Sequence, residues 1–137
     1  MQDRAAIETL IRSAYQARVT GDLDAMMGHF CDTAQFSLAG SPEASPVPTS
    51  ATGSVAVREV LRRLTQNIEF LETTLLDLLI DPETGRVAVH SRVRVRGRQS
   101  GQEAQTEVLD LVQVENGRIT SFRQFADTAL AARLLGS

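Results

Sequence analysis

Residues 86–97, RVAVHSRVRVRG, decide how the whole chain reads. Val87, Val89, Val93 and Val95 take alternate positions, and His90, Arg92, Arg94 and Arg96 take the others. A period of two marks a half-buried strand, because successive side chains leave a strand on opposite faces. The valine face is expected to turn inward and the basic face outward. The same period recurs in TTLLDLLI (73–80), AQTEVLDLVQV (104–114) and RITSFRQF (118–125). Between these runs lie DPETG (81–85), RQSGQE (98–103) and ENG (115–117), which read as hairpin turns. The second half is therefore expected to be an antiparallel meander of four strands.

The first half changes to helical spacing. Ile7, Leu10, Ile11, Ala14 and Tyr15 give residues 3–20 one apolar face. Thr20-Gly21-Asp22 ends this helix and caps the next. GDLDAMMGHFCD (21–32) reads as a short helix ending near Cys31 and Asp32, with Leu23, Met26, Met27 and Phe30 buried. AQFSLAGS (34–41) follows as a short strand. SPEASPVPTSATG (41–53) holds three of the four prolines and reads as a long loop, either a lid or a mobile insertion. SVAVREVLRRLTQNI (54–68) is a third helix, with Ser54 as its cap and an apolar face of Val57, Val60, Leu61, Leu64 and Ile68. DTALAARLLGS (127–137) is a short last helix capped by Asp127.

No repeat or linker interrupts this order, so residues 1–137 read as one α+β domain. The expected fold is a curved antiparallel sheet, a cone, with three N-terminal helices packed on its concave side. A cone of this kind leaves an apolar cavity open at one end, where small ligands commonly bind.

Composition narrows the function. Hydrophobic residues are 42 % of the chain and aromatics only 4 %, so Leu, Val and Ala must fill the core. The net charge of −3 argues against a basic nucleic-acid face. All fourteen basic residues are Arg, which excludes Schiff-base chemistry, a P-loop lysine and a pyridoxal phosphate linkage. The single Cys31 can form no internal disulfide and suits a reducing compartment. The N-terminus has no apolar signal core, and no run reaches the length of a membrane span. A cytoplasmic protein with no nucleic-acid or membrane partner is expected. His29 and His90 sit on separate elements without a clustered ligand set, so neither a metal nor another cofactor is expected.

Four stretches in order, GDLDAMMGHFCDTAQF, GSVAVRE, DLVQVENGRI and FADTALAARLLG, make the chain resemble the nuclear transport factor 2-like superfamily, with its ketosteroid isomerases and SnoaL-like polyketide cyclases. That fold hosts isomerases, dehydratases, hydrolases, cyclases and non-catalytic binders, so the resemblance speaks to fold before function. The isomerases place a carboxylate base, a Tyr and a protonated Asp around one apolar pocket. Carried over by spacing, the base position falls on Leu38, which cannot carry a proton. The tyrosine position falls on Ala14, one residue before Tyr15, and the protonated-Asp position falls on Asp110. Ordinary ketosteroid isomerase activity is therefore not expected. The related epoxide hydrolases surround a water with an Arg and two Asp, but Val108 stands two residues before Asp110 and that triad is not evident.

Asp110 is the most informative residue. It shares a strand face with Val108, Val112 and Val114, where a carboxylate is costly unless protonated or paired. Its pKa should be raised, and it either meets a ligand as acid or donor, or bonds to Tyr15, Ser91 or a buried water. Tyr15, Phe30, Phe36, Leu38, Val93, Val95, Val108, Asp110 and Phe122 are the expected site. Asp110 and Tyr15 carry any catalysis, and the others bind a small apolar ligand. His90, beside Asp77, and the Arg92, Arg94 and Arg96 stripe form either a paired dimer face or an anion site, and an outer arginine can pair with Glu107. The resemblance implies a homodimer through the sheet. Three functions remain open: a small-molecule binding domain; a cyclase, isomerase or dehydratase using Asp110; and a dimeric protein-interaction module.

Overall fold

A computed structural model of the chain describes residues 2–45 and 47–135. Four strands form the expected meander: β3 (Ile68–Asp81), β4 (Arg86–Gly97), β5 (Glu103–Glu115) and β6 (Arg118–Phe125). Each is antiparallel to the next. Asn116 and Gly117 join β5 to β6 with φ of 52° and 75°, the consecutive left-handed residues a tight hairpin needs. Val87, Val89, Val93, Val95, Val108, Asp110, Val112 and Val114 are all buried, so the alternation assigns the inward face correctly.

The helices are α1 (Arg4–Thr20), α2 (Leu23–Met27), α3 (Ser54–Asn67) and α4 (Thr128–Leu134). Gly21 closes α1 in the left-handed conformation, and the Asp22 side chain accepts from the Ala25 N–H to open α2. Asp127 opens α4 in the same way, through the Leu130 N–H. Ser54 does not cap α3. Gly53 is the residue before the first turn, and no side chain satisfies that end.

The expected cone with three N-terminal helices is not what forms. The sheet is mixed, six-stranded and open, in the order β2-β1-β6-β5-β4-β3, and it is not strongly curved. Two further strands, β1 (Phe30–Leu38) and β2 (Ser50–Thr52), extend the meander beyond β6. β1 runs parallel to β6, with Phe36 beside Phe122 and Leu38 beside Gln124, while β2 pairs antiparallel to β1. β2 is too short, and too far from β3 across the sheet, to close a barrel. Only α1 and α2 cluster at the N-terminus; α3 follows the first two strands. The physical reason lies in what a period encodes. Alternation tells which face is buried, but neither curvature nor the partner of a strand whose neighbour lies some ninety residues away.

Helix α2 is also shorter than read. It stops at Met27 with Gly28 as its cap, and Phe30 and Cys31 already belong to β1. The Ile119 N–H donates to the His29 carbonyl at 2.8 Å, so pairing with β6 claims this backbone before the helix can continue. Residues 41–53 contain a 3-10 turn (Pro42–Ala44) and β2, with Val47 buried between them. At the other end of the molecule, a Cβ on Gly97 would fall 2.8 Å from the Leu134 carbonyl. Only glycine lets the end of β4 approach the last turn of α4 this closely.

The buried side chains form two clusters. One joins Ile7, Ile11, Phe30, Phe36, Val57, Leu61, Val89 and Ile119; the other joins Ile68, Val93, Val95, Val108 and Leu134. The interior is therefore divided rather than continuous, and the division is where the site lies.

Candidate functional site

A cavity of about 300 Å³ lies along the seam between the two clusters. Phe30, Phe36, Leu38, Val93, Val95, Val108, Phe122 and Tyr15 all line it. Phe122 stacks on Phe36 at 5.6 Å between centroids and leans on Phe30 at 6.2 Å, which gives one wall an aromatic patch. The wall is largely apolar, as a small-molecule site usually is. Ser41, Ala44, Ser45, Val47 and Thr49 from the 41–53 segment, together with α4, complete it.

Asp110 sits at the polar end. It is fully buried, with Val89 beside it on β4 and Gln124 beside it on β6. The Tyr15 hydroxyl donates to its Oδ2, while the Gln124 amide approaches the carboxyl without completing a well-formed hydrogen bond to Oδ1. Burial pushes its carboxyl up to about 7, although the Tyr15 hydroxyl and the Gln124 amide pull in the other direction. Burial, with the Asp110 carboxylate, pushes the Tyr15 phenol well above its usual range. The pair therefore holds both of its protons below neutral pH, and only the Asp110 proton leaves as the pH rises past 7. Asp110 does not itself reach the cavity. Tyr15 and Gln124 stand on the wall, and the carboxyl lies behind them.

Two wall residues escape the reading by residue type. Arg18 lines the cavity one turn beyond Tyr15 on α1, with its guanidinium 4.0 Å above the Phe70 ring. A signal for it existed: Arg18 is four residues after Ala14 and seven after Ile11, so it continues the apolar stripe of α1. Gln124 alternates with Phe122 on β6 and was detectable in the same way.

The outer face holds the other candidates. His90 Nδ1 lies 2.8 Å from Asp77 Oδ2, as the hairpin register suggests, and its Nε2 meets Glu107. Glu107 thus pairs with His90 and not with an arginine. Arg94 Nη1 meets Glu103 at 3.0 Å and Arg96 Nη2 meets Glu69 at 2.7 Å. Hydrogen bonds to the Asp77 and Glu107 carboxylates raise the His90 pKa. Cys31, near Thr33, and His29, whose pKa is lowered by partial burial and by Arg118, lie apart from the cavity wall. Among the described residues no three His, Cys, Asp or Glu side chains gather as a metal site, and no helix is long and apolar enough to cross a membrane.

The SnoaL-like domain model matches residues 11–122, and the chain belongs to that family. No protein of curated function matches the sequence. Among solved structures, a Bacillus subtilis protein provisionally assigned as an isomerase aligns at TM-score 0.88 and 15 % identity, over 99 % of this chain and 96 % of that one. A nuclear transport factor 2-like protein of unknown function from Burkholderia pseudomallei aligns at 0.79 and 20 %, over 96 % and 98 %. An epoxide hydrolase of Mycobacterium tuberculosis, described as LEH-like, aligns at 0.73 and 18 %, over 96 % and 90 %. At these identities the likeness establishes a shared fold.

Proposed function

We propose that this SnoaL-like protein binds one small, mostly apolar molecule in the seam cavity, with an oxygen of the ligand at Tyr15. The observation that carries this is the Tyr15–Asp110 pair. It is a buried, proton-bearing donor set at one end of a mostly apolar 300 Å³ space. With the Asp110 carboxyl protonated and donating to the Tyr15 oxygen, the single Tyr15 proton is released to a ligand carbonyl or hydroxyl, a partner that the apolar wall cannot give. The test uses N-phenyl-1-naphthylamine, an uncharged dye that brightens in apolar surroundings. Wild-type protein is expected to bind it with one-to-one stoichiometry, and Leu38→Trp, which puts a larger side chain on the cavity wall, is expected to weaken it at least about tenfold, consistent with loss of a well-packed site. Equal binding by both proteins, or none by the wild type, would end this reading.

A second reading, an isomerase, cyclase or dehydratase, is favoured by the near-neutral carboxyl behind Tyr15. In it, the Tyr15 hydroxyl gives its proton to a ligand oxygen and recovers one from Asp110, so that a charge developing on that oxygen passes to the buried carboxylate. Tyr15 is then the catalytic residue, and Asp110 supplies and orients the proton. The pH profile of kcat, for any polyketide-like or steroid-like substrate the wild type turns over, should carry an ionisation near 7 that Asp110→Asn removes. An unchanged profile in that variant sinks the enzyme reading.

The outer sheet face supports a homodimer as the assembly. Leu79, Leu109, Leu111 and Phe125 are exposed there beside the His90 cluster. Sedimentation at micromolar concentration should give a dimer that Leu111→Glu converts to monomer, whereas a wild-type monomer would refute this.

A further inference from the structure

Arg18 is anomalous among the charged groups of the molecule. Several other arginines are matched: Arg94 and Arg96 meet Glu103 and Glu69, and Arg58 meets Asp24. Arg18 is drawn in over the Phe70 ring on the cavity wall, and its Nη2 donates to the Ile68 carbonyl at 2.9 Å. Among the described residues that carbonyl is its only hydrogen-bond acceptor, and no carboxylate lies within ion-pair distance. A guanidinium has five N–H donors, so most of those on this wall residue have no partner among the described residues. The one carboxylate on the wall, Asp127, is engaged in capping α4. The C-terminal end of α1 contributes partial negative charge to Arg18, but that does not neutralise a full positive one. Burial and the nearby Arg98 lower its pKa to about 10, as expected of a cation without a counter-anion.

We infer that Arg18 is the anion-recognising residue of the cavity and that the ligand is an amphipathic carboxylic acid, its carboxylate on the Arg18 fork and its apolar body along Val93, Val95 and Val108. This deepens the small-molecule reading and rests on it. A planar fork suits a carboxylate because two parallel N–H bonds can form at once. The two polar ends then have separate tasks. Tyr15 donates to a neutral oxygen on the ligand body, and Arg18 fixes which end of the ligand is charged. The Ile68 contact and the Phe70 ring hold the guanidinium on the wall, so that it is placed before the ligand arrives.

The experiment is displacement of bound N-phenyl-1-naphthylamine at pH 7.5 by decanoate and by decanol, which share a chain and differ in the head group. Within each protein the ratio of the two displacement constants is the readout, so a change in dye affinity cancels. Wild-type protein is expected to prefer decanoate by about tenfold or more, the scale of a charge-assisted hydrogen bond in a partly dry site. Arg18→Met should bring the ratio near one, and Arg18→Lys, which keeps the charge but loses the fork, should fall between. Should Arg18→Met fail to fold, the drop from wild type to Arg18→Lys carries the test. A wild-type ratio near one, or the same preference in all three proteins, overturns the inference and leaves Arg18 only tying α1 to β3. Failure of the dye to bind wild-type protein overturns the cavity reading, and this inference with it.

Discussion

The two faces of β4 and β5 are built by alternate residues of the same two strands, yet they treat ionisable groups in opposite ways. On the inner face Asp110 is surrounded by valines and has one phenol for company. On the outer face His90 lies between Asp77 and Glu107 in solvent. Both pKa values are raised, Asp110 by burial and His90 by its two carboxylates. The consequence differs in sign of charge. Burial keeps the aspartate neutral, whereas pairing keeps the imidazole positive. One displacement of a residue along the strand therefore separates a neutral proton donor from a solvated ion pair.

The largest expected effect tests whether the inner face alone carries the stability. Ile119→Ala, at a fully buried inner position, should cost about 3 kcal/mol in urea unfolding, while Leu111→Ala on the outer face, measured at a dilution where the protein is monomeric, should stay within about 0.5 kcal/mol. A loss above about 1 kcal/mol at Leu111 would mean that the outer face is covered in the monomer too.

Next in size is the pH dependence of the inner carboxyl. Its folded pKa is raised from 3.8 to about 7, so the folded state binds the extra proton between these values. Its stabilising contribution is full below pH 4 and is lost as the pH rises through about 7. Wild-type protein should lose about 2–3 kcal/mol between pH 5 and pH 8, and Asp110→Asn should flatten most of that slope. A steep slope that survives in Asp110→Asn would place the proton elsewhere.

Tyr15→Phe should cost about 1–2 kcal/mol, because it leaves Asp110 Oδ2 without its donor. Since the Tyr15 bond pulls the Asp110 pKa down, its removal should move the carboxyl titration upward, measurable by carbon-13 NMR. A downward move would contradict the assigned bond.

The smallest effect lies on the outer face. The His90 midpoint, followed by proton NMR, should lie above 6.5 and fall toward it in Glu107→Gln. High salt should shrink that displacement and leave the Asp110 titration nearly unchanged, because screening reaches exposed charges and not buried ones. Equal salt sensitivity of the two would break the contrast between the faces.

Much of the site was legible because a strand exposes its logic at every second residue. Asp110 stands out among Val108, Val112 and Val114, and the structure buries it with them. Phe36 and Phe122 of the aromatic wall were legible from their strands, whereas Phe30 reads in sequence as part of the second helix and belongs to β1. Arg18 was missed because a charged residue near a helix end looks solvated by type, although its spacing from Ile11 and Ala14 puts it on the inner stripe. The roles of the 41–53 segment and α4 as cavity walls depend on which elements meet in space, and no local pattern carries that.

By itself the sequence determined the helices, the four-strand meander, its turns and its inward face. These follow from periodicity and from turn residues acting within a few positions of one another. Tertiary structure decided the rest: the parallel seating of β1 on β6, the open sheet in place of a cone, and the junction of two core clusters around a cavity. It also set Tyr15 against Asp110 and left Arg18 without a carboxylate partner among the described residues. Those outcomes depend on contacts between segments far apart in the chain, where backbone pairing and packing choose among partners that the local pattern leaves equivalent.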